Sequence, residues 1–566
     1  MTGYSHDVAI IGSGFAGSLI ASALAERGVK VVIIEAGKAF EDNRGIREEL
    51  RQAFANSNED EVFAPYMAQL AAEKGAWKTR PYKDIEDPIP SQFSGDYLRM
   101  VGGTGLAWLG TALRMCPNDF RMKTVFNKGR DWPISYADLE SWYSLAEEAL
   151  GIAGDPEVDT GAGAFRTRPF PMPPIPLSYS DKYIAARIAS LTFADQRIKV
   201  VSTPQARNSV EGYNGRPQCE GYASCVPLCP TGAKYDPLVH LRRALLSGAD
   251  LLEQSVVTGL QTAADGSITA ANLKRPDGSI DTIGARTFVL AANGIETPKL
   301  LLQSNQSHDA GLANESGLVG RNLMDHPQKY SCAFLPDPIF PFRGPQSTAG
   351  IEALRDGSFR RHRAAFRTAL RNDGWRIANG APFGSPEAFL NGTLLDLVER
   401  QHVFGSALRS AIQRMSSRQF ALQSVVEALP CKENRISLSQ TSRDAMGLPR
   451  AEVYFRIGRY EREGITAAAE LHRAVFAAIG CRDEDVFIHL KDDPSGPDAA
   501  GSHIMGTTVM GSDPKVSVVD PNCRAFGHQN LFIVGSSVFP TGSASNPTLT
   551  ICALALRAAE FIGSAM

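Results

Sequence analysis

The strongest constraint on the fold of this 566-residue chain lies near its start, where the apolar run Asp7-Val8-Ala9-Ile10-Ile11 leads into Gly12-Ser13-Gly14-Phe15-Ala16-Gly17. The hexapeptide G-x-G-x-x-G alone is a weak signal. Here a strand pattern precedes it, and apolar residues at helical spacing follow from Ser18 and stop at Gly28. A second strand pattern, Val29 to Gly37, carries Glu35, 18 residues after Gly17. Strand, glycine turn, helix and strand with that acid form the full context of a dinucleotide-binding unit. Gly12 permits the tight turn, Gly14 lets a pyrophosphate approach the backbone, and Gly17 lets the helix pack on the strand. The phosphates would take the helix N-terminus, where free N–H groups and the dipole favour anions. Glu35 would accept from a ribose, with Phe15, Ala16 and Ala36 completing the candidate set.

Composition narrows the class further. Lys plus Arg is 58 and Asp plus Glu is 61, a net charge of −3, without the basic excess of a dedicated nucleic-acid binder. Apolar residues make up 43%, enough for a real core. At ~100–200 residues per domain the length fits roughly two to four domains, or two large interleaved ones. The first strand pattern begins without a basic, cleavable leader, so no signal peptide is expected. No apolar run is long enough to span a bilayer, and the C-terminal apolar stretch is broken by Arg557 and Glu560.

Further motifs recur along the chain. Residues 101–110 are again glycine-rich, with Gly103, Thr104 and Gly105. The Pro-rich stretch 165–178 reads as a linker. Residues 287–302 read as strand, turn and helix. The arginine-rich stretch from Arg355 to Arg376 reads as a solvated helix face. Residues 531–537 form a late strand ending in Gly535 and Ser536, followed by a closing helix. The fingerprint does not separate NAD from FAD, but chain ends meeting on one cofactor favour the longer FAD. Of nine cysteines, three cluster as Cys219-x5-Cys225-x3-Cys229 before Pro230, which is no disulfide framework. Three thiolates suit a three-iron cluster, or a zinc site with a fourth ligand elsewhere.

The segments IIGSGFAG, VGGTG, AANGIETPKLLL, VGRNLMDHP, and the tail from GSHIMGTTVMG to SNPTLT resemble the glucose–methanol–choline (GMC) oxidoreductase family over the whole length. RDWPISYADLE and CPTGAKYD add a likeness to the branch of pyranose oxidases and bacterial FAD sugar dehydrogenases, the glucose, fructose and gluconate dehydrogenase large subunits. The resemblance implies an α/β (α+β overall) fold, with a Rossmann-like FAD-binding domain interleaved with a substrate domain on an antiparallel sheet backed by helices. FAD-binding parts are expected at 1–110, 201–335 and 491–566, and substrate parts at 111–200 and 336–490. It places Val257 and Ala292 at the adenine half, Thr104 and Gly105 beside the flavin, and Gly535 and Ser536 near the pyrophosphate. Asn546, Pro547 and Thr548 bring the closing helix to the ring.

The same resemblance makes His503 the base and Asn546 its partner, an assignment that suits a neutral imidazole near pH 7. His326 aligns with a segment read as structural, and His528 reads as a turn residue. His489 is open between pocket and strand. Ala107 stands before Trp108 where related sugar enzymes often carry a histidine that can bond the flavin, so non-covalent FAD is expected. The matching loop of bacterial sugar dehydrogenases carries a [3Fe–4S] cluster, implying Cys219, Cys225 and Cys229 as ligands. Some relatives have adjacent cysteines at the first position, where this chain has Cys219-Glu220.

The function implied is an FAD-dependent sugar or glycoside dehydrogenase. It oxidises a ring hydroxyl to a ketone, or C1 to a lactone, and passes electrons through the cluster to a cytochrome or quinone. The alternatives are an O2-using sugar oxidase and a non-catalytic flavoprotein of electron transfer or assembly. Implied partners are a small export subunit and a cytochrome c, with periplasmic co-export or a cytoplasmic location both open.

Overall fold

The computed structural model describes residues 4–39, 82–84, 93, 95, 97–158, 163–222, 225–226, 228–304, 310–341, 343–372, 396–444, 446–488, 493 and 495–566. His489 and Arg376 lie outside them.

The first sheet is built on strands that read as buried in sequence. Val8, Ala9 and Ile10 are fully enclosed, as a parallel strand covered on both faces must be. Asp250–Leu252, Val31–Ile34, His6–Ile11, Ile280–Leu290 and Leu531–Ile533 lie side by side in that order, all parallel. The long strand Ile280–Leu290 changes partner midway. Its first half pairs antiparallel with Ile268–Lys274, which pairs in turn with Val256–Thr262. Helix Phe15–Ala25 packs against helices Leu238–Leu246 and Thr548–Ser564, so the ends of the chain meet on one core.

The second sheet is antiparallel. Its order is Val486–Phe487, Pro327–Phe334, Gln419–Val426, Phe366–Arg371, Ala349–Ile351 and Val201–Ser202, with Ala499–Ala500 also on Pro327–Phe334. The helix Arg459–Ile479 backs one face, where His472 lies 2.8 Å from Ser424 Oγ and 2.7 Å from Ser331 Oγ. The register therefore turns Gln328, Tyr330, Gln423, Arg367 and Arg371 to the other face. Two of its strands, Val201–Ser202 and Pro327–Phe334, lie within the 201–335 stretch expected to belong to the FAD-binding part. Buried polar residues Gln328, Lys329 and Ser331 break the alternation that marks a half-buried strand.

The arginine-rich stretch is not a solvated helix face. Ser358–Arg361 is a short 3-10 turn and Phe366–Arg371 a strand. Arg355, Arg360, Arg367 and Arg371 are buried. Arg360 pairs with Asp119, Asp356 and Glu427, and Arg367 with Glu352. Their partners come from other parts of the chain, which a local charge pattern cannot reveal. Among the described residues no helix is long and apolar enough to cross a membrane.

Candidate active site

The glycine turn behaves as its spacing predicts. Gly12 has φ +105°, and a Cβ there would stand 2.7 Å from Ala291 O. A Cβ on Gly17 would stand 1.9 Å from Gly12 O, so helix and strand meet only with glycine here. Gly14 has open space where a Cβ would go. It precedes helix Phe15–Ala25, whose N-terminus has no side-chain cap. The first amides of that helix are thus left for an anion.

A cavity runs along this turn. Of the expected binding residues, Gly12, Gly14, Phe15, Ala16, Glu35, Ala36, Gly103, Thr104, Gly105, Val257, Ala292, Gly535 and Ser536 all line it. Gly17 supports the turn from behind. Ile551 of the closing helix reaches the cavity, while Asn546, Pro547 and Thr548 stand outside its lining. That helix starts at Thr548 after Pro547, again without a side-chain cap. Open space at Gly14, two bare helix N-termini and an acid at the second strand end fit a dinucleotide such as FAD.

Glu35 has a role beyond the expected ribose. Its Oε2 accepts from Ser13 N at 3.0 Å and Ser13 Oγ at 2.7 Å, and Oε1 accepts from Gly37 N at 2.8 Å. Ser13 Oγ in turn accepts from Gly102 N at 2.9 Å, tying the two glycine segments together. Sequence reasoning passed over Ser13 because serine is ordinary in a turn. It also missed the cluster at the cavity wall, where Arg99 lies 2.6 Å from Glu296 and Tyr97 donates to the same carboxylate. Burial acts to raise Glu296, yet Arg99 and Lys299 outweigh it and hold its pKa at about 2.

His503 and Asn546 are brought together from separate loops. Asn546 Nδ2 lies 3.4 Å from His503 Nε2, and Asn546 Oδ1 is buried with no partner. Next to them in sequence, Ser502 and Ile504 line the cavity. The segment is fixed by Met324–Met505 pairing and by Asp325 Oδ1, which accepts from the backbone N–H of both His326 (2.7 Å) and His503 (2.8 Å). The two rings touch, with His326 Nδ1 2.8 Å from His503 Nδ1. Burial, with Arg367 adding to it, lowers the His503 pKa to about 4. Burial, then His503, holds His326 well below its ordinary value. His528 is buried against Gly266 O at 2.7 Å, a structural place.

The cysteine loop lies behind the Gly103–Leu106 turn. Lys234, buried, donates to Leu106 O (3.1 Å), Cys225 O (2.9 Å) and Trp108 O. Burial lowers Lys234 to about 8 against the pull of Cys225 and Cys229. Burial works to raise Cys229, but backbone N–H groups of Lys234 and Thr231 bring it below the ordinary thiol range. Cys219 is raised by burial, against a backbone bond from Gly221. The sulfurs do not converge as the expected cluster requires. Cys225 Sγ turns to Tyr222 O at 3.6 Å and Cys229 Sγ to Thr231 Oγ1 at 3.6 Å. Among the described residues, no three His, Cys, Asp or Glu side chains are gathered to hold a metal ion.

Comparison with known proteins agrees with this layout. Residues 203–328 and 430–555 match the N- and C-terminal family models of GMC oxidoreductases, and residues 10–40 match an NAD(P)-binding Rossmann-like domain. The fructose dehydrogenase large subunit of Gluconobacter japonicus is 32% identical, over 99% of this chain and 98% of that one. The 2-methyl-1,2-propanediol dehydrogenase of Mycolicibacterium austroafricanum is 28% identical, over 98% and 95%. The crystal structure of pyridoxine 4-oxidase from Mesorbium loti superposes with a TM-score of 0.61 at 18% identity, over 98% and 99%, and shows the fold alone. With a relative matched from end to end and a cavity formed by the expected glycines, the chain belongs to the GMC oxidoreductase family as an FAD-dependent oxidoreductase acting on CH–OH groups.

Proposed function

We propose that this enzyme is a sugar or glycoside dehydrogenase with non-covalently held FAD. The reading rests above all on His503 Nε2, which faces the Asn546 amide at 3.4 Å beside the dinucleotide cavity. His503 takes the hydroxyl proton, and Asn546 holds the substrate oxygen. FAD, when bound, supplies the hydride acceptor, so loss of H⁺ and H⁻ from one carbinol leaves a carbonyl. Gly12, Gly14, Glu35, Ala36, Val257 and Ala292 hold the dinucleotide, and Gly103, Thr104, Gly105, Gly535 and Ser536 flank it. Ala107 offers no nucleophile to the ring.

Polar residues on the front face of the second sheet support this substrate class. Arg367 bonds Glu352 at 2.8 Å, and Gln423 donates to Gln328 at 2.9 Å. A buried wall of ion pair and amides matches a polyhydroxylated substrate and mismatches an apolar one. Arg367 is close enough to act on His503, which ties this wall to the base.

An anaerobic titration with a panel of sugars, glycosides and polyols tests the reading. Flavin absorbance is expected to bleach with at least one sugar, and acid precipitation to release the flavin into the supernatant. A flavin that no sugar bleaches overturns it. A neutral His503 is present at any pH well above its lowered pKa. The acid limb of kcat/KM is therefore expected near pH 4, not near the ordinary histidine value of about 6.5.

The cysteine loop supports an electron exit. Support for a [3Fe–4S] cluster comes from the spacing of Cys219, Cys225 and Cys229, not from where their sulfurs point. Closing on iron must draw Cys225 from Tyr222 and Cys229 from Thr231. Such a cluster supplies one-electron transfer. Anaerobically purified protein is expected to contain iron and acid-labile sulfide in the cluster ratio. Their absence removes the cluster and leaves the flavin chemistry untouched. Kinship to a large subunit supports assembly with a smaller chain and a cytochrome c acceptor, and a periplasmic location reached with that chain. Co-purification tests this.

A further inference from the structure

An imidazole acts as a base only through the nitrogen that carries no proton. Which nitrogen that is depends on what the other one bonds. His503 Nδ1 and His326 Nδ1 are 2.8 Å apart, with the rings nearly perpendicular at 85°. Two neutral rings at this distance share one hydrogen, and there are two ways to place it. If His326 owns it, His503 carries its own proton on Nε2 and cannot act as a base. If His503 owns it, its Nε2 lone pair faces Asn546 and the substrate.

The Asn546 side of His503 breaks the tie. A Cβ on Gly542 would lie 3.5 Å from His326 Nε2, so the Gly542–Ser543 backbone borders that nitrogen. No hydrogen-bond partner reaches it. That end therefore sets no preference, and His326 is free to carry its proton on Nε2 with Nδ1 left to accept. At the other end, the Asn546 amide N–H₂ is directed at His503 Nε2 and needs a lone pair there. That contact selects the arrangement in which His503 owns the shared hydrogen. The backbone holds it rigid, since Asp325 Oδ1 binds both residues and Gly501 N donates to His326 O at 2.9 Å. A Cβ on Gly501 would stand 2.8 Å from His503 Nδ1, so only glycine leaves room for this contact.

We propose that His326, which the sequence reading took as structural, is a positioning residue that fixes His503 in the Nδ1–H tautomer and so presents Nε2 as the base. The proposal rests on His503 being that base. His326→Leu removes the acceptor, and His326→Asn keeps an oxygen near the place of Nδ1. In the FAD-loaded enzyme, His326→Leu is expected to lower kcat on the order of 10²-fold with flavin content and KM little changed. His326→Asn is expected to recover most of the loss. Nitrogen-15 NMR of histidine-labelled enzyme, assigned with His503→Ala, is expected to show His503 protonated on Nδ1. It is expected to show a mixture of tautomers in His326→Leu. A wild-type His503 protonated on Nε2, or a His326→Leu enzyme of normal kcat, overturns the proposal. Should His326→Leu fail to fold, the wild-type spectrum and His326→Asn still decide it. Normal turnover in His503→Ala is a different failure, because it removes the base reading itself.

Discussion

In the FAD-loaded enzyme, His503→Ala is expected to lower kcat by about 10²–10⁴-fold, the usual worth of a positioned general base. That equals about 3–5 kcal/mol of transition-state stabilisation. The flavin is expected to stay bound, because the cavity is lined by Ser502 and Ile504 and not by the imidazole between them. KM is expected to change little, since in the proposed reading Asn546 also holds the substrate oxygen. Dye-coupled turnover, normalised to flavin absorbance, measures the effect. Turnover within a few-fold of wild type assigns the proton to another group.

The cofactor half of the site was legible because its constraints are local. Gly12 needs a positive φ and Gly17 needs an absent Cβ, and both needs are written within one hexapeptide. The late strand Leu531–Ile533 and its Gly535 turn were legible for the same reason, an apolar run ending in small residues. The rest depends on pairings across long separations. His326 meets His503 from 177 residues away, so its motif shows a histidine and not what the ring bonds. Arg360 reaches Glu427 over 67 residues and Asp119 over 241, so the arginine run resembled a surface. Pro327–Phe334 was hidden because a strand facing a polar wall on one side and His472 on the other carries polar residues toward both. The cysteines show the reverse case, in which spacing was plain and the placement of the sulfurs was not.

The buried arginine leads to the largest stability effect. Arg360 is fully enclosed, with Nη2 2.7 Å from Asp119 and 2.5 Å from Glu427, and Nη1 3.0 Å from Asp356. Glu427 also accepts from Ala365 N at 3.1 Å and Tyr460 Oη at 3.0 Å. One guanidinium thus balances three carboxylates. Burial already lifts Asp119 to about 6 even with Arg360 beside it. Arg360→Met fills the space but leaves those acids without their cation, at a cost of about 3–5 kcal/mol. Thermal unfolding followed by flavin fluorescence is expected to show a drop in Tm of roughly 3–4 °C. Arg360→Lys is expected to recover only part of it, since an ammonium cannot fork to two carboxylates. By contrast, Arg459→Ala breaks an exposed pair with Glu463 and is expected to cost under about 0.5 kcal/mol. The pH dependence gives a further check. An acid whose folded pKa is raised binds more protons folded than unfolded, so stability falls as pH rises through that interval. Without Arg360, Asp119 is raised further, and the deficit of Arg360→Met is expected to be smaller at pH near 5 than near 8. A deficit that is the same at both pH values assigns the loss to packing and not to uncompensated charge.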